Sequence, residues 1–110
     1  MARQAELLPG TLDLLILKTL DAMGPLHGYR LARRIEQISG DLLQLNQGSI
    51  YPALVRLEQK GWIKGEWGES ENRRRAKFYR LTRSGRHRLD AERRNWQRVS
   101  IAVTRMLEAT

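Results

Sequence analysis

Along the first sixty or so residues the apolar positions recur at helical spacing, and they predict three short helices. In "TLDLLILKTLDAMG" (residues 11–24) Leu12, Leu15, Ile16, Leu20 and Met23 share one face, with Thr11 as the expected N-cap and Gly24-Pro25 as the stop. Leu14 and Leu17 widen the apolar surface past a single stripe, so this helix should touch two partners. After "GPLHG", Leu31, Ala32, Ile35 and Ile38 mark a second helix closed by Ser39-Gly40. The third lies in "NQGSIYPALVRLEQKGW" (residues 46–62). Here Ile50, Leu54 and Leu57 face a core, Asn46 is the expected cap and Gly61 the stop. The other face carries Gln47, Ser49, Tyr51 and Arg56. Pro52 is expected near the helix start, where N–H groups have no intrahelical acceptor to lose.

Beyond Gly61 the period changes. "WIKGEWGE" and "KFYRL" are short and aromatic or β-branched, and they flank the polar "SENRRRA". That is the pattern of a β-hairpin with a basic loop, Tyr79 and Leu81 facing inward. Thr82 is expected to cap a last helix reaching about Leu107. In it Leu89, Trp96 and Val103 recur at heptad spacing, with Val99 and Met106 between them. Glu92 interrupts this seam, and Ile101, Ala102 and Leu107 broaden it. A three-helix core leaves no partner for such a surface. Leu89, Trp96, Val99, Val103 and Met106 are therefore expected to pair with a second copy of the chain, joined by Leu14 and Leu17. The fold class is mainly α with a small β-hairpin: a winged helix-turn-helix over residues 1–81 and a C-terminal dimerisation helix over 82–110, one structural domain overall.

Composition excludes more than it adds. With 110 residues and 41% hydrophobic content the chain supports one modest core. The absence of cysteine excludes disulfides, thiolate metal sites and a cysteine nucleophile. No apolar run approaches the roughly 20 residues that span a bilayer. "MARQAELLPG" is too short and polar for a signal peptide, so a soluble, cytoplasmic chain with no membrane partner is expected. His87 has no second ligand at metal-binding spacing, and no metal or cofactor is expected. Asp13 and Asp21 read as solvated charges, His27 as a turn residue and Tyr29 as a packing residue. With no nucleophile–base arrangement, an enzyme is not expected.

Charge changes the picture. Twenty Lys+Arg against twelve Asp+Glu give +8, and the excess is localised. Between Asn72 and Leu89 stand Arg73, Arg74, Arg75, Lys77, Arg80, Arg83, Arg86 and Arg88, with no acid. A solvated face is one reading of such a run. Guanidinium forks match phosphate oxygens bidentately, however, and this run follows a candidate recognition helix, which favours nucleic acid. Gln47 and Ser49 then stand where they reach base edges or phosphates, and Tyr51 where its hydroxyl reaches a phosphate.

The blocks "GTLDLLILKTL", "GPLHGYRLARRI", "LNQGSIYPALVRLEQKGWI" and "RRRAKFYRLTRSGRHRL" resemble the PadR-type transcriptional regulators, named for phenolic-acid decarboxylase repressors, in order and spacing over most of residues 8 to 89. The single C-terminal helix is similar to that of the family's compact subgroup. The resemblance implies a homodimer on a palindromic double-stranded DNA operator near regulated genes, often released by a small effector. It places Gln47, Ser49, Tyr51, Pro52 and Arg56 in the DNA-reading helix and Arg73, Arg74, Arg75 and Lys77 in the wing. Ser49 stands where threonine is usual, which keeps the hydroxyl and loses a methyl.

Trp96 has two readings. It is a tryptophan of the dimer interface, or it flanks with its symmetry mate, beside Val99, a gap for a flat aromatic effector, as the compact subgroup implies. The leading expectation is a dimeric DNA-binding repressor. A winged-helix protein-interaction module and an effector-independent architectural DNA binder are the alternatives.

Overall fold

The computed structural model describes residues 10–43, 45 and 47–110. The chain runs α1 (Thr11–Met23), β1 (Leu26–His27), α2 (Gly28–Ile38), α3 (Gln47–Gln59), β2 (Ile63–Glu69), β3 (Arg75–Leu81) and α4 (Arg83–Glu108). The hairpin β2–β3 is antiparallel from Ile63↔Leu81 to Glu69↔Arg75. A third strand joins it, because β1 pairs with the free edge of β3 through Leu26↔Tyr79 and His27↔Phe78. Two residues are too few to show a period of two, so this strand left no pattern in the sequence.

Apolar stripes explain the core. Ile16, Leu17 and Leu20 of α1 meet Leu31, Ala32 and Ile35 of α2 and Ile50, Ala53, Leu54 and Leu57 of α3, closed by Leu26, Ile63, Tyr79 and Leu89. Tyr79 is buried as expected, and Leu81 packs against the core from its margin. Met23 and Ile38, expected on core faces, are exposed; each is the last residue of its helix, beyond the packed turns. The second apolar face of α1 has its partners inside the chain, since α1 touches α2, α3, β3 and α4. Leu17 is fully buried there and is withdrawn from any contact with a second chain.

The start of α1 departs from the sequence reading, while the Thr82 cap of α4 and the stop of α3 at Gly61 agree with it. Gly10, in the left-handed region at φ 86°, is the N-cap of α1, and Thr11 is its first helical residue rather than its cap. Asn46, expected to cap α3, lies outside the described residues. Pro52 stands in the second turn of α3, not the first, so its missing N–H deprives the Gly48 carbonyl of an intrahelical donor. Both residues are exposed, which leaves that carbonyl accessible to water. At the far end Gly61 adopts φ 76° and donates to Glu58 O at 2.9 Å, while Trp62 donates to Leu57 O at 3.1 Å. These paired bonds form a Schellman motif, which favours glycine at the left-handed position.

The start of α4 is fixed to that turn. The Thr82 hydroxyl accepts from the Gly85 amide at 3.0 Å and donates to Gly61 O at 2.6 Å, and Ser84 Oγ donates to the same carbonyl at 2.9 Å. A Cβ on Gly85 would lie 1.9 Å from the Trp62 carbonyl, so only glycine permits this approach. One turn on, Leu89 is 1% exposed and belongs to the core. This corrects its expected place in the dimer interface: a heptad repeat marks a buried stripe but not whose core buries it. Beyond Leu89 the helix runs along the start of α1 as far as Trp96 and Val99 and continues past it to Glu108, and the fold measures 57 × 37 × 21 Å.

Candidate nucleic-acid interface

With Ile50, Ala53, Leu54 and Leu57 buried, α3 turns Gly48, Pro52, Val55 and Gln59 outward. Gln47 opens this helix and Ser49 is exposed in its first turn. Tyr51 stands on the flank nearest α2 and is partly exposed, its ring lying against Gly28. Arg56 is on the other flank, and its guanidinium pairs with Asp13 of α1. Asp13 is thus a nearly buried ion-pair partner and not the solvated charge expected of it. Asp21, too, is engaged, by Arg86 at 3.4 Å. Arg56 remains about half-exposed, but its first commitment is to α1.

The wing separates the basic residues that sequence had grouped. Its loop is closed by Ser70 N–H to Arg74 O at 2.8 Å and Arg73 N–H to Ser70 O at 2.9 Å, with Arg73 at φ 59°. Arg73, Arg74 and Arg75 are all exposed, and the Arg75 guanidinium stacks over the Trp67 ring at 4.6 Å. Lys77 is different. It sits within β3, half-buried, and gives its ammonium to Glu58 of α3 at 2.9 Å. Hydrogen bonding to Lys77 holds the Glu58 carboxyl below the usual carboxylate range, against the opposing effect of burial, and the same bond raises Lys77. Burial raises Tyr79 next to them.

Between α2, Tyr51 and the wing runs a groove of about 920 Å³. Arg30, Arg33 and Arg34 line it from α2, and Arg74, Arg75 and Lys77 from the wing. The arginines of α2 were missed in the sequence, although their i, i+3, i+4 spacing puts them on one helix face. Tyr29 also lines this groove and is 62% exposed, so it is a surface residue and not the packing residue expected. His27 ends the turn before α2 by accepting the Arg30 amide on Nδ1 at 3.2 Å. Among the described residues no group of three or more His, Cys, Asp or Glu is placed to hold a metal ion.

A second surface lies on α4. Trp96 (47% exposed), Val99, Val103, Met106 and Leu107 form an apolar stripe continuous with Leu89, without a partner in the chain's core. Beside Trp96 and Val99, a small hollow of about 170 Å³ opens against Gly10, Thr11 and Leu14. Leu14, half-buried, is the part of α1's second face that borders this stripe.

Comparison with known proteins agrees with this geometry. A family model described as "Transcriptional regulator PadR-like family" matches residues 16–91. A 37.1 kDa protein in transposon TN4556 of Streptomyces fradiae is 40% identical over 79 residues, 72% of this chain, and the chain spans about a fifth of that relative's length (21%). A transcriptional regulator from Clostridium thermocellum superposes with a TM-score of 0.82 at 26% identity, over 90% of this chain and 95% of that one. A PadR family regulator from Eggerthella lenta gives 0.79 at 28% identity, over 92% and 85%. No helix among the described residues is long and apolar enough to cross a membrane.

Proposed function

The chain belongs to the transcriptional regulator PadR-like family, and from that premise we propose that it is a dimeric, sequence-specific repressor of nearby genes, released from a palindromic operator by a small aromatic effector. The observation that carries the DNA reading is the placement of the exposed face of α3 beside a wing whose Arg73, Arg74 and Arg75 are open to solvent. Arginine at the wing supplies sequence-independent phosphate affinity, while Gln47 and Ser49 enter the major groove from the start of α3. Tyr51 orients the helix on the backbone through its hydroxyl. A protein-interaction module needs neither feature.

The stripe from Trp96 to Leu107 supports the dimer. Two such stripes packed together would place the two α3 helices on half-sites about one helical turn apart, roughly 34 Å. The hollow beside Trp96 supports the effector reading, a flat aromatic stacking on the indole with its other wall supplied by the second chain. Fluorescence anisotropy on a duplex carrying the region upstream of the protein's own gene, against a random duplex, tests the whole reading. Preference for the upstream duplex, lost on adding planar phenolic or polycyclic aromatics, is the expected result. Equal affinity for both duplexes would leave an architectural DNA binder, and the lack of response in a Trp96→Ala variant that still dimerises would tie release to that residue.

A further inference from the structure

In the groove between α2 and the wing, the Arg30 guanidinium is paired with the carboxylate of Glu71 at the wing tip. The two residues are 41 positions apart, and their side chains are 51% and 77% exposed. Glu71 is the one acidic residue among those lining the groove, against Arg30, Arg33, Arg34 and Arg74. An exposed pair of this kind contributes little to stability, so it does not account for the site as a structural brace. A carboxylate does, however, present a guanidinium with the same pair of oxygens as a phosphodiester.

We propose that Arg30 is the centre of a backbone-phosphate site on α2, and that Glu71 occupies this site in the DNA-free protein until a DNA phosphate displaces it. The inference rests on the DNA-binding reading and adds to it a contact outside α3 and the wing, together with an internal competitor for that contact. The exchange makes engagement of the wing conditional. Glu71 leaves Arg30 only when a phosphate arrives in its place, so at Arg30 the pair trades one anion for another. Displacement also frees the wing tip from α2 at the moment when Arg73 and Arg74 approach the duplex.

The test compares Glu71→Gln with Glu69→Gln, an exposed wing carboxylate that does not line the groove and so reports net charge alone. Binding to a fluorescein-labelled random-sequence duplex is measured over a range of NaCl concentrations, with thermal melts confirming that each variant is folded. Glu71→Gln should bind about two- to fivefold tighter per wing than Glu69→Gln. Arg30→Ala should flatten the slope of log K against log salt by about 0.9 per bound chain, which a purely structural residue would not do. In an Arg30→Ala background the two Glu→Gln changes should become indistinguishable. Equal effects of both changes with Arg30 present, or an unchanged slope in Arg30→Ala, would overturn the proposal while leaving DNA binding intact. If the unmodified protein bound no duplex even at low salt, the DNA reading itself would fail, and this site with it.

Discussion

Glu58 of α3 takes a hydrogen bond from Lys77 Nζ of β3 on one carboxylate oxygen at 2.9 Å, and one from the Gly65 amide of β2 on the other, also at 2.9 Å. A single side chain therefore joins α3 to both strands of the wing. The two elements that would meet DNA are held in a fixed relation before any duplex arrives.

This pair sets a pH dependence. The folded Glu58 carboxyl lies below its ordinary value of 4.5, so its contribution is complete above 4.5 and is lost as pH falls through the folded value. Lys77 lies above 10.5, so its contribution is complete below 10.5 and is lost as pH rises through its folded value. Glu58→Gln should cost about 1 kcal/mol at neutral pH, in keeping with a pair that is a third exposed. It should also flatten the fall of Tm below about pH 4.5. Thermal melts across that range check it; the same acid decline in both proteins would remove the pair from the account.

Leu89 and Val103 occupy equivalent heptad positions and should nevertheless fail differently. Leu89→Ala empties a core site and should lower stability by about 2–5 kcal/mol. Val99→Asp combined with Val103→Asp should leave the monomer's unfolding cooperative and abolish association. Sedimentation velocity beside denaturant melts separates the two outcomes, and a dimer surviving both aspartates would rule out the α4 stripe as its interface.

At the α3–β2 turn, Gly85→Ala should be far more disruptive than its size suggests. The added methyl would meet the Trp62 carbonyl at 1.9 Å, so the start of α4 must shift, costing on the order of 1–3 kcal/mol. Thr82→Ala, which removes the cap and its bond to Gly61, should cost about 1 kcal/mol. Urea titrations of both variants check the order.

For the wing, changing Arg73, Arg74 and Arg75 together to Ala should flatten the slope of log K against log salt by up to about 2–3 units per wing. Lys77→Ala should leave the slope nearly unchanged and act through stability, since its ammonium is already held by Glu58. Anisotropy titrations at several salt concentrations measure both, and a full unit lost in Lys77→Ala would place that ammonium on a phosphate.

Much of this was legible in the sequence, for reasons that also explain what was not. Ile50, Leu54 and Leu57 announced α3 because helical periodicity is local, and the aromatic and β-branched runs around "SENRRRA" announced the wing in the same way. Pairings distant in sequence leave no such trace. The bond from Arg56 to Asp13 spans 43 residues, and β1 finds its partner in Tyr79 and Phe78, far along the chain. Leu89 was misplaced because a stripe records burial and not the identity of the burying surface. Arg30, Arg33 and Arg34 were passed over because a denser arginine run lay elsewhere, although the same charge logic applied to them.

The way α4 leaves the core has a mechanical consequence. From Leu89, held in the core, to Leu107 the helix extends about 27 Å at 1.5 Å per residue. A swing of about 5° at Leu89 would displace the far end by roughly 2 Å, the width of a substantial repacking at a helix–helix contact. The first part of that length lies along the start of α1, at the hollow beside Trp96 and Val99, so the lever acts from Leu89 through a seat on α1. Were a second chain to clamp the tip, its grip would set the attitude of the whole winged body, and a wedge in the hollow near Trp96 would turn that body through an angle that no contact within α3 or the wing needs to supply.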